Sequence, residues 1–218
     1  DGKGIFPEQA IARADVTVGR VEKMSKSKKN LVEPENIAAK YGADTARLFI
    51  MSDSPPERDL EWSEAGVEGA YKFLSRLHKF TENFVIEMKS FSGAGMDLEL
   101  DKKIGKLFVV ATANIEAMQF NSAIAKAREI SNILFVQKAG PENYRSIEQG
   151  LQLLIQLLSP FTPHLAEELW INFAKDTSEM LLDRPWPEIN KEYLEEDEFV
   201  MAVQLNGKLK DTIKVSRG

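Results

Sequence analysis

The chain has 218 residues, of which 43% are hydrophobic and 28% are charged, so it can bury the core of one large domain or two small ones. It contains no cysteine and only two histidines, which excludes disulfides, cysteine-based zinc sites and most metal or Ser/His schemes. The formal net charge of -6 excludes a protein coated with basic surface, although short basic stretches occur.

The first thirty residues predict an irregular, exposed segment, because Gly2, Gly4, Pro7 and Gly19 interrupt any regular pattern. A short strand is expected within residues 16–21. The N-terminus lacks the layout of a secretory signal, and no apolar run reaches the length of a bilayer-spanning helix. We therefore expect a soluble, cytoplasmic protein with no membrane partner.

A basic segment follows with the order Lys23-Met24-Ser25-Lys26-Ser27, which resembles the Lys-Met-Ser-Lys-Ser signature of the class I aminoacyl-tRNA synthetases. The resemblance implies that these five residues bind ATP and that Lys26 is catalytic. Ammonium, hydroxyl and N–H donors suit this role, since negative charge grows on the departing pyrophosphate. The alternative is an ordinary solvated lysine loop. Lys29 departs from the small or amide residue expected after the signature.

Helical patterns occupy most of the remaining chain. Gly42 separates two short helices, Ser63 is an expected N-cap, and Pro163 suits the first turn of the last helix. The expected helices cover 35–41, 43–51, 64–88, 101–119, 122–138 and 143–158, and a further one begins near 163. Four of them are expected to pack as antiparallel neighbours.

The chain ends with alternating patterns over 199–205 and 208–216, which flank Asn206-Gly207 and predict a β-hairpin. A lone two-stranded hairpin is marginal in water, so we expect it to begin a further domain.

Further segments carry the resemblance beyond the lysine loop. Tyr41-Gly42-Ala43-Asp44 looks like the isoleucyl, valyl, methionyl and leucyl branch, and 159–170 is similar to the end of that branch's anticodon-binding bundle. Segments 59–62 (Asp-Leu-Glu-Trp) and 66–70 (Gly-Val-Glu-Gly-Ala) look leucyl.

The resemblance implies a mainly α fold, an antiparallel helical bundle preceded by the end of a catalytic domain and followed by a short β-hairpin. The implied domains are 1–62 with the loop, 63–190 as the tRNA-binding bundle, and 191–218 as the start of a small α/β domain.

The implied activity is that of a leucine–tRNA ligase, which activates leucine with ATP and Mg²⁺ and transfers it to tRNA(Leu). The His-Ile-Gly-His signature of the class is missing, so we expect a fragment of a monomeric parent that is inactive alone and holds no metal site. The alternatives are an isoleucyl, valyl or methionyl enzyme, or a non-catalytic helical module that binds tRNA or protein.

Six basic residues are candidates for gripping the tRNA backbone, although each can equally well solvate an outer face. They are Arg47, Lys72, Arg76, Lys79, Lys126 and Arg128. Arg47 can instead form a local ion pair with Asp44. We expect a capping or packing role for His164, no special role for His78, and a role as packing anchor for Trp62.

Overall fold

The structure is a computed structural model that describes residues 22–91, 95–173, 179–194, 198–205 and 208–216. The strand predicted within 16–21 and the predicted Asn206-Gly207 turn lie outside the described residues. Within these ranges the prediction of a mainly helical chain is confirmed. The helices are α1 (Pro34–Tyr41), α2 (Ala43–Asp53), α3 (Glu64–Met88), α4 (Leu98–Glu116), α5 (Phe120–Phe135), α6 (Tyr144–Leu158) and α7 (Pro163–Ile171).

Polar caps determine where two of the long helices begin. The Ser63 hydroxyl accepts a hydrogen bond from the Gly66 N–H at 3.1 Å, as expected of an N-cap. The Asp97 carboxylate accepts one from the Leu100 N–H at 3.1 Å, so α4 begins three residues earlier than its apolar pattern predicts. Satisfying otherwise unpaired N–H groups stabilises each helix start.

The core forms where α4, α5 and α6 pack against one another and where α2 packs against α3 and α5. Its largest fully buried side chains include Leu48, Phe108, Ile124 and Leu154. α7 contacts both α3 and α6 and closes one side of this core. No described helix is both long enough and apolar enough to cross a membrane.

α1 is weakly anchored, since it has no buried residue, and its main contacts are with α2 and α3. Gly42 alone links it to α2, with φ of +86° and ψ of 154°. This backbone conformation is open to glycine and strained for other residues. The lysine segment is therefore attached to the core through α1, Gly42 and α2 in that order.

The described C-terminal residues form two strands, β1 (Glu198–Leu205) and β2 (Lys208–Ser216), which pair in antiparallel fashion. The register places Glu198 opposite Ser216 and Leu205 opposite Lys208, with an irregularity between Val203 and Gln204. One extra residue on β2 accounts for the irregularity, as in a β-bulge.

Candidate functional site

The lysine segment forms a compact turn held by its own hydrogen bonds. The Lys28 and Lys29 N–H groups donate to the Ser25 and Lys26 carbonyls, each at 3.2 Å. The Asn30 side chain closes the loop, because its Oδ1 accepts from the Ser25 N–H at 2.9 Å. The hydroxyls of Ser25 and Ser27 lie 3.2 Å apart. Two hydroxyls are thus brought to the same side of one turn.

The charges of this loop point to solvent. Lys23, Met24, Lys26 and Ser27 are exposed and Ser25 is half-buried. Lys28 is paired, since its ammonium lies 2.7 Å from the Glu22 carboxylate. Among the residues described, neither Lys23 nor Lys26 forms an ion pair. Lys26 therefore carries an ammonium group available to an anionic ligand.

Lys29 occupies the left-handed backbone region, with φ of +53°. Glycine and asparagine adopt this region more readily than other residues, and the usual cost for an L-residue is about 1 kcal/mol or more. The backbone at position 29 therefore favours the small or amide residue that the signature leads one to expect, although this chain has a lysine there.

Two of the six candidate tRNA-binding residues are paired with carboxylates along their own helices. The Lys72 ammonium lies 2.8 Å from Glu68, and this hydrogen bond lowers the pKa of the Glu68 carboxyl. The Lys126 ammonium lies 2.8 Å from Glu129. Exposed pairs such as Lys72–Glu68 contribute little to stability and leave the cation accessible, whereas the Lys126 side chain is half-buried. Lys79 is exposed as well.

Two arginines form reciprocal cation–π contacts between α3 and α5, each stacking on a phenylalanine of the other helix. The Arg76 guanidinium of α3 lies 4.4 Å from the ring centre of Phe135 on α5, and Arg128 of α5 lies 4.5 Å from that of Phe73 on α3. Burial lowers the pKa of Arg128, but arginine remains charged in proteins. These cation–π contacts join α3 to α5 and keep both charges at the seam.

Arg47 and Asp44 make contacts that the sequence did not reveal. Arg47 Nε donates to the Phe161 carbonyl at 3.1 Å, and its Nη2 donates to the Pro160 carbonyl at 2.8 Å. Asp44 Oδ2 accepts from the Leu165 N–H at 2.8 Å, and its Oδ1 lies 2.9 Å from His164 Nδ1. The structure therefore does not support the alternative of a local Asp44–Arg47 ion pair, because both side chains reach the connection between α6 and α7.

The two histidines both contact carboxylates. His164 is largely exposed beside Asp44, in keeping with the expected position at the start of a helix. His78 was expected to be unremarkable, but its Nδ1 lies 3.3 Å from Glu82 and its Nε2 lies 3.3 Å from Glu168 of α7. Within the part of the chain that the structure describes, no group of three histidine or acidic residues is arranged to hold a metal ion.

A separate cleft of about 270 Å³ lies between α4, α6 and residues 188–193. Asp101 lines it and is 7% exposed. Burial raises the pKa of the Asp101 carboxyl, an effect that a hydrogen bond with Ser146 partly opposes. Its Oδ2 has no hydrogen-bond partner among the described atoms and is closed to solvent. A ligand in the cleft would therefore not meet this oxygen directly.

Two sequence families match the chain. Residues 97–218 match the family described as the anticodon-binding domain of tRNA ligase, and residues 9–63 match the class I tRNA synthetases for I, L, M and V.

Curated relatives are leucine–tRNA ligases. That of Rhizorhabdus wittichii is 45% identical over 223 residues and is matched over 100% of this chain and 25% of the relative. That of the Wolbachia pipientis of Culex pipiens is 43% identical, with 99% and 27% matched. The chain thus spans about a quarter of the length of these relatives.

A solved structure is also similar. It is the ternary complex of Agrobacterium radiobacter K84 agnB2 LeuRS–tRNA–LeuAMS, with a TM-score of 0.76 and 28% identity. The similarity covers 89% of this chain and 26% of that chain.

Proposed function

The chain belongs to the anticodon-binding family of tRNA ligases and is homologous along its whole length to leucine–tRNA ligases. We therefore propose that it supplies the ATP-contacting loop and the tRNA-binding helices of such a ligase. The leucine–tRNA ligase relatives favour leucine over isoleucine, valine or methionine as the amino acid. The whole ligase would work as a cytoplasmic monomer.

The proposed reaction has two steps. The leucine carboxylate attacks the α-phosphorus of ATP, the bond to the bridging oxygen breaks, and pyrophosphate leaves with the negative charge. A terminal ribose hydroxyl of tRNA(Leu) then attacks the carbonyl carbon of leucyl-adenylate and AMP departs. Mg²⁺ accompanying ATP would neutralise phosphate charge, with the phosphate oxygens themselves among its ligands.

Within the described ranges the ammonium of Lys26 is exposed and forms no ion pair, and this observation carries the proposal. Ser25 and Ser27 flank Lys26 in the chain, and their hydroxyls, 3.2 Å apart, add two further polar groups to the same loop. Lys23 adds a second exposed charge, and Met24 is part of the same exposed segment. A flexible stem lets a lysine follow the phosphates as the bond breaks, which the rigid fork of an arginine would not allow.

The proposed division of labour follows the chain. Residues 1–62 complete the catalytic domain, 63–190 form the antiparallel tRNA-binding bundle, and 191–218 with its hairpin begin a small C-terminal domain. The two family matches, over 9–63 and 97–218, support this division. The bundle grips the tRNA backbone through the cations of α3 and α5, namely Lys72, Arg76, Lys79, Lys126 and Arg128. We assign Arg47 a different role from these cations, since its guanidinium already donates to the Phe161 and Pro160 carbonyls.

The decisive experiment compares Lys26→Ala with Lys28→Ala in the full-length protein that carries this chain. Loss of one transition-state donor costs about 2.7 to 4 kcal/mol, so leucine-dependent ATP–pyrophosphate exchange should slow about a hundred- to a thousandfold in Lys26→Ala. Lys28→Ala should have a much smaller effect, because Lys28 lies outside the five residues that match the signature. Exchange at the wild-type rate in Lys26→Ala would rule out the proposed role.

A further inference from the structure

α2 holds the connection between α6 and α7 at two points. Asp44 and Arg47 lie three residues apart, so they project from the same side of α2. Their partners, Leu165 and the Pro160–Phe161 carbonyls, lie 113 to 121 residues further along the chain. We call these two residues and their hydrogen bonds the α2 clamp.

The charges of the clamp match the helix ends that they touch. A helix N-terminus carries partial positive charge and unpaired N–H groups, and the carbonyls beyond a C-terminus carry partial negative charge. Asp44 meets the start of α7, where Thr162 makes no side-chain capping bond of its own. Arg47 meets the carbonyls just beyond the end of α6. Asp44 is only 8% exposed, so its bond to the Leu165 N–H is protected from water.

The His164 contact adds less to the clamp. The His164 side chain is 79% exposed, and exposed pairs contribute little. The main bonds of the clamp are therefore those of Asp44 to the Leu165 N–H and of Arg47 to the two carbonyls.

The clamp joins the two parts that the proposed reaction must bring together. Among the described residues, the lysine loop is connected along the chain to the core through α1, Gly42 and α2, and α1 has no buried residue. α6 and α7 lie in the proposed tRNA-binding bundle. The clamp therefore fixes α2, the helix that carries α1 and the loop, against α6 and α7, in addition to the packing of α2 on α3 and α5.

We propose that Asp44 and Arg47 are positioning residues for transfer of leucine to tRNA, because they fix the loop-bearing segment against the helices that hold the tRNA. This inference rests on the proposed function. Activation of leucine uses the loop and small substrates, so it tolerates a loosened bundle. Transfer requires the tRNA end to meet the adenylate, and small misplacements of reacting groups slow such steps strongly.

The test measures both steps in the full-length protein with Asp44→Ala and Arg47→Ala. Each variant should lower kcat for tRNA charging about tenfold, while ATP–pyrophosphate exchange stays within about twofold of wild type. The KM for tRNA should change little. Asp44→Asn keeps an acceptor for the Leu165 N–H and should retain more charging activity than Asp44→Ala.

Asp97→Ala is the matched control, because it removes the same kind of carboxylate cap from α4. It should lower Tm by a similar amount and leave the ratio of charging to exchange unchanged. The double variant Asp44→Ala/Arg47→Ala should lose less charging activity than the sum of the two single losses predicts, since either change loosens the same contact.

Three results would overturn the inference. In the first, charging and exchange fall together, as expected of a purely structural role. In the second, neither changes. In the third, Arg47→Ala raises the KM for tRNA in a salt-dependent manner while Asp44→Ala does not, which would assign Arg47 to a direct phosphate contact. A wild-type protein that fails to charge tRNA(Leu) at all would instead refute the proposed function.

Discussion

Two glycines of α3, Gly66 and Gly69, should respond to alanine in opposite directions. A Cβ on Gly66 would lie 2.6 Å from Cε2 of Phe49, which is closer than packed atoms tolerate. Phe49 is 3% exposed and packs edge-to-face against Trp62, with 5.2 Å between the ring centres, so its ring has little room to move. A Cβ on Gly69 meets nothing within 4 Å and gains the helix propensity of alanine.

The expected magnitudes follow from these contacts. Gly69→Ala should stabilise the chain by about 0.8 to 1 kcal/mol, the usual difference inside an exposed helix. Gly66→Ala gains the same helix propensity, but overpacking against Phe49 costs about 1 to 3 kcal/mol. The net effect of Gly66→Ala should therefore be a loss of stability. Since 1 kcal/mol shifts Tm by about 2 to 4 °C for a domain of this size, thermal unfolding can resolve both changes.

A third variant isolates the cause. In a Phe49→Leu background the ring edge is gone, so adding Gly66→Ala should cost clearly less than it does in the wild type. Two results would contradict this explanation. Gly66→Ala and Gly69→Ala could shift Tm in the same direction, or Phe49→Leu could leave the cost of Gly66→Ala unchanged. Either result would mean that close packing against Phe49 is not why alanine at position 66 destabilises the fold.

Two further predictions concern charge. Asp101→Asn should stabilise the chain at pH 7, because burial raises the pKa of this carboxyl and so penalises its ionised form in the folded state. In urea denaturation the gain should shrink as the pH falls through the raised pKa and vanish below the ordinary value of about 3.9, whereas a gain independent of pH would contradict the assignment. Lys79→Ala should weaken tRNA(Leu) binding and reduce the slope of log K against log salt by about 0.7 to 0.9, and an unchanged slope would mean that Lys79 only solvates α3.

Local sequence patterns predicted most of the helices because each pattern depends on neighbours within one or two turns. The apolar stripe from Val67 to Met88 and the Ser63 cap gave the bounds of α3. α4 was placed three residues too late because its start depends on the Asp97 cap rather than on an apolar residue. Similarly, the lysine signature could be read directly, since its information lies in five consecutive residues.

Contacts between distant segments could not be predicted in this way. Nothing near Asp44 indicates that its partner is the Leu165 N–H, 121 residues away. The nearby Arg47 offered a plausible local partner three residues on, and only the packing of α2 against α7 shows that both side chains point elsewhere. The pairing of Lys28 with Glu22 is likewise set by the turn, which places two residues six apart side by side.

Burial increases along the chain from the lysine loop to α2. A loop that must follow a moving phosphate needs freedom to move, which the exposed end of this segment provides. The loop is mostly exposed, α1 has no buried residue, and α2 buries Leu48 and Phe49. Segments with few buried contacts open at low free-energy cost, whereas clamped and buried helices open only with the whole fold. Gly42 stands at the boundary, with backbone angles that another residue would adopt only under strain. Movement of the loop can therefore occur without disturbing the helices proposed to hold the tRNA.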